Sequence, residues 1–134
     1  MIVVDTSAVL SVMLQEPDAD AVRGALLRAS GRSISASNYV ECAVVMAGRR
    51  MGGRADLDEW LGLRQIEVSA VDRPVAALAA DAFVRFGKGR HPAGLNYGDC
   101  FAYALAKHLR APLLFKGEDF AKTDVEPALS GGSV

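Results

Sequence analysis

The chain has 134 residues, 51% of them hydrophobic, with 15 Lys+Arg against 16 Asp+Glu and a formal net charge of −1. That length suits one domain, and so apolar and weakly charged a composition excludes a disordered chain. The near-neutral balance excludes a protein held to nucleic acid by bulk charge, but not an enzyme that grips RNA through a local basic patch. Ile2–Val4 is an apolar, β-branched run that predicts a strand buried on both faces, as in a parallel sheet. It ends at Asp5, and Thr6 or Ser7 is placed to cap a helix running to about Leu14. Pro17 and Asp18 restart a helix with Val22, Leu26 and Leu27 on one face, ending near Gly31. Ser33–Ser37 predicts a second, short strand. Asn38 to about Met51 predicts a helix, with Val40, Val44, Val45 and Ala47 at helical spacing, closed by Gly52 and Gly53. Leu57–Leu63 is a further helical piece, and Ile66–Val71 is strand-like. Pro74 opens an Ala-rich helix that ends near Gly87. Gly87–Gly94 is a loop carrying Lys88, Arg90 and His91. Asn96–Leu109 predicts a helix, and Pro112–Phe115 a strand followed by the turn Lys116-Gly117-Glu118-Asp119. Val125–Leu129 predicts a short edge strand. Residues 130–134 predict a flexible C-terminal tail on a single domain of residues 1–129.

Three absences narrow the class. The longest charge-free run, Thr6 to Gln15, is ten residues, about half of the ~20 needed to span a bilayer. No basic leader precedes an apolar run, so no secretory signal is expected. Cys42 and Cys100 form no CxxC pair and no disulfide ladder, which suits a reducing cytoplasm.

Strands alternating with helices predict an α/β sandwich in three layers, with a mostly parallel central sheet flanked by helices. Ligands of such sheets sit beyond the carboxyl ends of the strands. Asp5 and Asp119 both follow predicted strands, which places them on that edge.

Several acids lack a basic neighbour. The first basic residue after Asp5 is Arg23. Glu41 has Ser37, Asn38, Val44 and Val45 at helical spacing, and Asp99 has Leu95, Asn96, Ala102 and Tyr103, so neither has a local ion pair. A buried, unpaired carboxylate is costly unless it takes up a proton or shares a cation. Each acid also has a plainer reading. Asp5 could cap the following helix, and Asp99 could favour its helix dipole. Glu41 could bond a distant Arg85, Arg90 or Arg110. Asp119 could be an ordinary turn residue, with Glu118 and Asp124 competing for its role. One shared metal site explains the set together. His91 and His108 suit solvated or dipole positions, and Cys42 and Cys100 suit buried small hydrophobes. Met46, Met51, Trp60 and Leu61 suit core packing ahead of a partner-binding stripe.

The opening Ile2-Val3-Val4-Asp5-Thr6-Ser7-Ala8 resembles the start of PIN domains, specifically the VapC-type toxins of toxin–antitoxin pairs. Ser37-Asn38-Tyr39-Val40-Glu41 resembles that family's second acidic motif. Leu95-Asn96-Tyr97-Gly98-Asp99-Cys100-Phe101-Ala102-Tyr103-Ala104 resembles the third, and Leu113-Leu114-Phe115-Lys116-Gly117-Glu118-Asp119-Phe120 the fourth. The resemblance spans Ile2 to about Val125. One departure stands out: Gly117 occupies the first acidic position of the family's usual Thr-x-Asp-x-Asp pattern, which moves the fourth acid to Asp119.

The resemblance implies a PIN-like fold and a metal-dependent endoribonuclease. Asp5, Glu41, Asp99 and Asp119 would converge on one pocket as catalytic and metal-holding residues. Hard carboxylate oxygens suit Mg²⁺ or Mn²⁺, and no Cys/His cluster suggests zinc. A metal-activated water would attack the RNA phosphodiester. Thr6 or Ser7 would bond a metal water or a carboxylate. Asn96, Arg85, Lys88, Arg90 and Lys116 are supporting candidates, the basic ones for the RNA backbone. The resemblance also implies a cognate VapB-type antitoxin, which would bring a basic side chain to the acids. A homodimer, or a higher toxin–antitoxin assembly, is implied as well. Two other readings compete: a receiver-type phosphoacceptor domain, which leaves Glu41 and Asp99 unexplained, and a catalytically silent PIN-like interaction module, which the retained acids oppose.

Overall fold

Apolar runs form the two central strands and mixed Ser-, Ile- and Val-containing segments the other two, and the computed structural model describes them within residues 1–129. The predicted tail, 130–134, lies outside the described residues. The strands are β1 (Ile2–Val4), β2 (Arg32–Ser35), β3 (Ile66–Ser69) and β4 (Leu113–Leu114). They pair in the order β3-β2-β1-β4, and every pairing is parallel. Between them run α1 (Thr6–Met13), α2 (Ala19–Arg28), α3 (Ala36–Gly48), α4 (Arg54–Leu63), α5 (Arg73–Phe86) and α6 (Tyr97–Leu109).

The pleat of each strand sorts its side chains between two cores. Val3 and Leu113 join α5 and α6 through Val75, Ala79, Phe86, Ala102 and Leu105. Ile2, Val4, Ile34, Ile66 and Leu114 face the other way, toward Val9, Leu26, Met46 and Leu57 of α1–α4. Successive residues of a strand point to opposite faces, so burial on both sides demands the continuous apolar run seen at Ile2–Val4. The result is the expected three-layer sandwich. Cys42, Cys100, Met46 and Leu61 are buried, as the packing reading holds.

Element ends differ from expectation where a polar residue takes a cap. β2 begins at Arg32 and stops at Ser35, not Ser37. The Ser35 hydroxyl accepts from the Ser37 amide and starts α3 two residues earlier than predicted. Asp72 caps α5 through the Val75 amide, and Asn96 is the cap of α6 instead of its first residue. α4 begins at Arg54, where the Asp56 carboxylate accepts from the Gly53 amide. β3 ends at Ser69, two residues short of the predicted Val71. α2 stops at Arg28, short of Gly31, and α3 at Gly48, short of Met51.

The predicted edge strand Val125–Leu129 is reduced to a single bridge between Leu113 and Pro127. Leu113 donates to the Glu126 carbonyl at 2.8 Å and accepts from Ala128 at 2.9 Å. Pro127 sits between these two bonds with its nitrogen turned away from β4, as a proline on a sheet edge must. Asp124 anchors this segment to α5 and α6: it accepts from the Tyr103 hydroxyl, from Lys107 at 3.4 Å and from Arg85 at 3.3 Å.

The strand order sets the location of the site. From β1 the chain builds outward through β2 to β3, then returns to place β4 on the opposite side of β1. The crevice beyond the carboxyl ends of β1 and β4 is this switch point.

Candidate active site

Asp5 leaves β1 and caps α1, so its plain role and its site role coincide. Its Oδ2 accepts from the Ser7 amide at 3.0 Å and from the Ser7 hydroxyl at 2.6 Å. That hydroxyl in turn accepts from the Lys116 amide at 2.9 Å, tying the loop after β4 to the end of β1. Asp5 Oδ1 is buried without a hydrogen-bond partner.

Glu41 stands in the second turn of α3. Its Oε1 accepts from the Thr6 hydroxyl at 2.5 Å and from the Asn38 side-chain amide at 3.2 Å. Its Oε2 rests over Gly98, where an added Cβ would come within 2.8 Å of the carboxyl carbon. Asp99 stands in the first turn of α6. Its Oδ2 accepts from the Asn96 amide at 3.0 Å, while its own amide donates to Asn96 Oδ1 at 2.8 Å. This reciprocal cap fixes the carboxylate at the positive end of the helix.

Each of the three acids is therefore held by one oxygen, while hydrogen bonds among the described residues leave the other oxygen free. Among the described residues no Lys or Arg pairs with Asp5, Glu41, Asp99 or Asp119. None of the distant arginines reaches Glu41.

The electrostatics tie the acids together. Burial pushes the Asp5 carboxyl up to about 7, against the lowering effect of the Ser7 bonds, and the charges of Asp99 and Glu41 push it further. Burial also raises Asp99, opposed by its Asn96 bond and assisted by Asp119 and Glu41. Asp119 is exposed and reaches the cluster through Asp99. Of the competing fourth acids, Asp124 is buried partly, which raises its carboxyl, but Tyr103, Lys107 and Arg85 outweigh that and hold it below the ordinary range. Asp124 is thus committed to anchoring. Gly117, the departure from the family pattern, has φ of 98°, a conformation that an Asp would adopt only with strain.

The supporting residues divide. Thr6 and Ser7 bond carboxylates, and Asn96 caps α6. The Lys116 ammonium turns away to Glu16 at 2.8 Å and Asp18 at 3.9 Å. Arg85 is held by Asp124, and Arg90 donates to the Val84 carbonyl at 3.3 Å from an exposed loop. His91 accepts from the Ala93 amide and packs edge-on against Phe86. Burial pushes the Cys42 thiol up to about 12 and the Cys100 thiol up to about 11, which makes both poor nucleophiles.

The donor set fits a hard divalent cation. All of it is carboxylate oxygen, one atom of it buried and unpartnered. Among the described residues no three His, Cys, Asp or Glu side chains close on a single point as a ready-made metal cage. An Mg²⁺-type ion takes one or two carboxylates directly and completes its shell with waters. Beside the acids lies an open cleft of about 530 Å³ lined by Ser37, Val40, Glu41, Asn96, Tyr97 and Gly98. Two of the residues that build the site, Asn38 and Gly98, escape a sequence reading. Their only trace is position: Asn38 lies three residues before Glu41, and Gly98 directly before Asp99.

Comparison with known proteins gives the family and the fold. The family described as PIN domain matches residues 2–126. A protein named Ribonuclease VapC from Mycolicibacterium smegmatis is 50% identical over 125 residues, covering 92% of this chain and 96% of that one. Ribonuclease VapC30 of Mycobacterium tuberculosis is 46% identical, covering 92% and 95%. Among solved structures, the Mycobacterium tuberculosis VapC20 toxin, described as cleaving the sarcin–ricin loop, superposes with a TM-score of 0.72 at 14% identity, over 93% of this chain and 96% of that one. A toxin–antitoxin complex from Klebsiella pneumoniae superposes with a TM-score of 0.67 at 15% identity, over 92% and 93%. These relatives support neither the receiver-type reading nor the silent module.

Proposed function

This chain belongs to the PIN-domain family, among relatives named VapC ribonucleases, and is an RNA-cleaving toxin; from that premise we propose that Asp5, Glu41, Asp99 and Asp119 form its catalytic, metal-holding site. One observation carries the reading: three carboxylates at the switch point are each anchored by one oxygen, carry another free, and have no basic partner. Such an arrangement is electrostatically unfavourable on its own and becomes favourable around a cation.

Mg²⁺ or Mn²⁺ would be held among Asp5, Glu41 and Asp99, by one or two of them directly and by the rest through its waters, with Asp119 at the exposed rim. When bound, such an ion supplies a nucleophilic water at neutral pH and stabilises the charge developing on the phosphodiester. The protein's share is orientation. Ser7 fixes Asp5, Thr6 and Asn38 fix Glu41, and Asn96 fixes Asp99. The cleft of about 530 Å³ gives a nucleotide room beside Glu41. Lys88 and Arg90 on the loop before α6 are the basic side chains assigned to the RNA backbone.

The partner of such a toxin is a cognate VapB-type antitoxin, whose Arg or Lys would take the cation's place among the acids. The active form is a cytoplasmic homodimer. Supporting the dimer, Val40, Val44, Phe83 and Tyr97 are exposed, and a nearly wholly apolar groove of about 340 Å³ runs between α5 and α6. No helix of the described residues is long and apolar enough to cross a membrane.

The test is cleavage of cellular RNA by purified protein with Mg²⁺, Mn²⁺ or EDTA. Wild type should cut only with metal, and Asp99→Ala should lose about two orders of magnitude or more in rate. Equal cutting by both proteins would remove Asp99 from the site.

A further inference from the structure

Asn38 is fully buried on α3, where an apolar residue would pack at lower cost. Its side-chain nitrogen donates twice: to Glu41 Oε1 at 3.2 Å on its own helix, and to the Gly98 carbonyl at 3.0 Å on α6, sixty positions away. Both partners are acceptors. The reversed amide would point its own oxygen at them, so this orientation is the only one that bonds. The cost is plain as well, because Asn38 Oδ1 is left buried and without a partner. A residue kept for packing alone would not carry that penalty.

Gly98 completes the contact. A Cβ there would collide with the Glu41 carboxylate, so Glu41 lies directly on the bare backbone of α6. The next residue is Asp99. One amide and one missing side chain thus set where Glu41 stands relative to Asp99.

We infer that Asn38 is a positioning residue which, with the space left by Gly98, fixes the Glu41–Asp99 pair for the divalent cation. The inference rests on the metal-site reading above. Asn38 acts through Glu41 and the α6 backbone and touches neither RNA nor metal. Partners behind metal ligands of this kind typically change metal affinity by about 10–100-fold when removed.

The experiment is Mn²⁺ binding to the full chain, followed by calorimetry and by electron paramagnetic resonance, with melting temperature recorded for each variant. Asn38→Leu removes both hydrogen bonds while keeping the branched outline of the side chain, with somewhat greater bulk. Gly98→Ala keeps the Asn38 bond to the backbone carbonyl at that position and removes the space that the Glu41 carboxylate occupies. Each should weaken Mn²⁺ binding by about tenfold or more while the apo-protein still melts cooperatively. Cleavage by each should recover partly at high Mn²⁺, as a fold defect would not. If either variant folds and binds Mn²⁺ as tightly as wild type, the positioning role is overturned. If wild type itself binds no Mn²⁺, the site reading fails instead, and the two failures are distinguished by that control. If Asn38→Leu does not fold, Gly98→Ala decides the matter alone.

Discussion

Asp5 carries the clearest consequence of a single residue. In the metal-free fold its carboxyl is pushed up to about 7 from an ordinary value of 3.8. The folded chain therefore keeps a proton that the unfolded chain has already lost between those values. Unfolding releases that proton, so stability is highest on the acid side and falls as pH rises from about 4 to about 7. The full effect is on the order of 4 kcal/mol. In EDTA, wild type should melt at a lower temperature at pH 8 than at pH 5.5. Asp5→Asn should flatten that dependence, melt higher than wild type at pH 8, and lose cleavage. Melting curves across pH for the two proteins check it; parallel curves would mean that Asp5 is not the strained group. Asp5, Glu41 and Asp99 stand out in the sequence because none has a basic neighbour at helical spacing, whereas Asp119 is flanked by Lys116 and Lys122. Lys116 was not legible in the same way. It lies beside Asp119 in the chain, yet its ammonium reaches Glu16, a partner one hundred positions away.

Among the elements, the segment after β4 separates structure from chemistry. Asp119 and Asp124 lie five positions apart in the sequence and have different tasks. Asp124 binds α5 and α6 through Arg85, Tyr103 and Lys107. Removing it strands the Tyr103 hydroxyl, which is part-buried. Asp124→Ala should lower stability by about 1–3 kcal/mol and leave cleavage intact well below the melting temperature. Asp119→Ala should do the reverse: an exposed residue is lost at little cost to stability, and the cleavage rate falls. Urea unfolding and RNA cleavage on both variants measure the contrast. A collapse of cleavage in Asp124→Ala with Asp119→Ala unaffected would exchange the two roles. Element existence could be read from periodicity at β1, α3, α5 and α6. Element ends could not, because Ser35, Asp72 and Asn96 each serve equally well as the last residue of one piece or the cap of the next. The predicted edge strand at Val125–Leu129 meets a β4 of only two residues, Leu113–Leu114, and a single bridge remains.

At the scale of the molecule, α3, α5 and α6 leave apolar surface uncovered. Val44 on α3 is 65% exposed, and Tyr97, 77% exposed, lines a groove between α5 and α6 that is aromatic and alanine-rich. A second copy of the chain covering this face would bring two carboxylate clusters close together. Phe83→Asp places a charge in that groove on α5, the helix that carries none of the four acids. It should convert a dimer in sedimentation velocity to a monomer without changing metal binding per chain, and a dimer that persists would move the interface elsewhere. The three-layer order was legible from the alternation of strands and helices. The α3–α6 contact was not, since Asn38 and Gly98 acquire meaning only when the two helices cross.

The sheet order also bears on when the enzyme comes into being. β1, made first, is completed by β4, made last, and the Lys116 amide reaches the Ser7 hydroxyl across 109 positions. A polypeptide emerges from the ribosome with its N-terminal part first. Asp5 and Glu41 leave long before Asp99 and Asp119, and until β4 docks there is no switch-point crevice to hold them together. A growing chain therefore has no completed crevice until β4 has emerged and docked beside β1. That delay gives a neutralising partner a defined moment at which to meet a finished site.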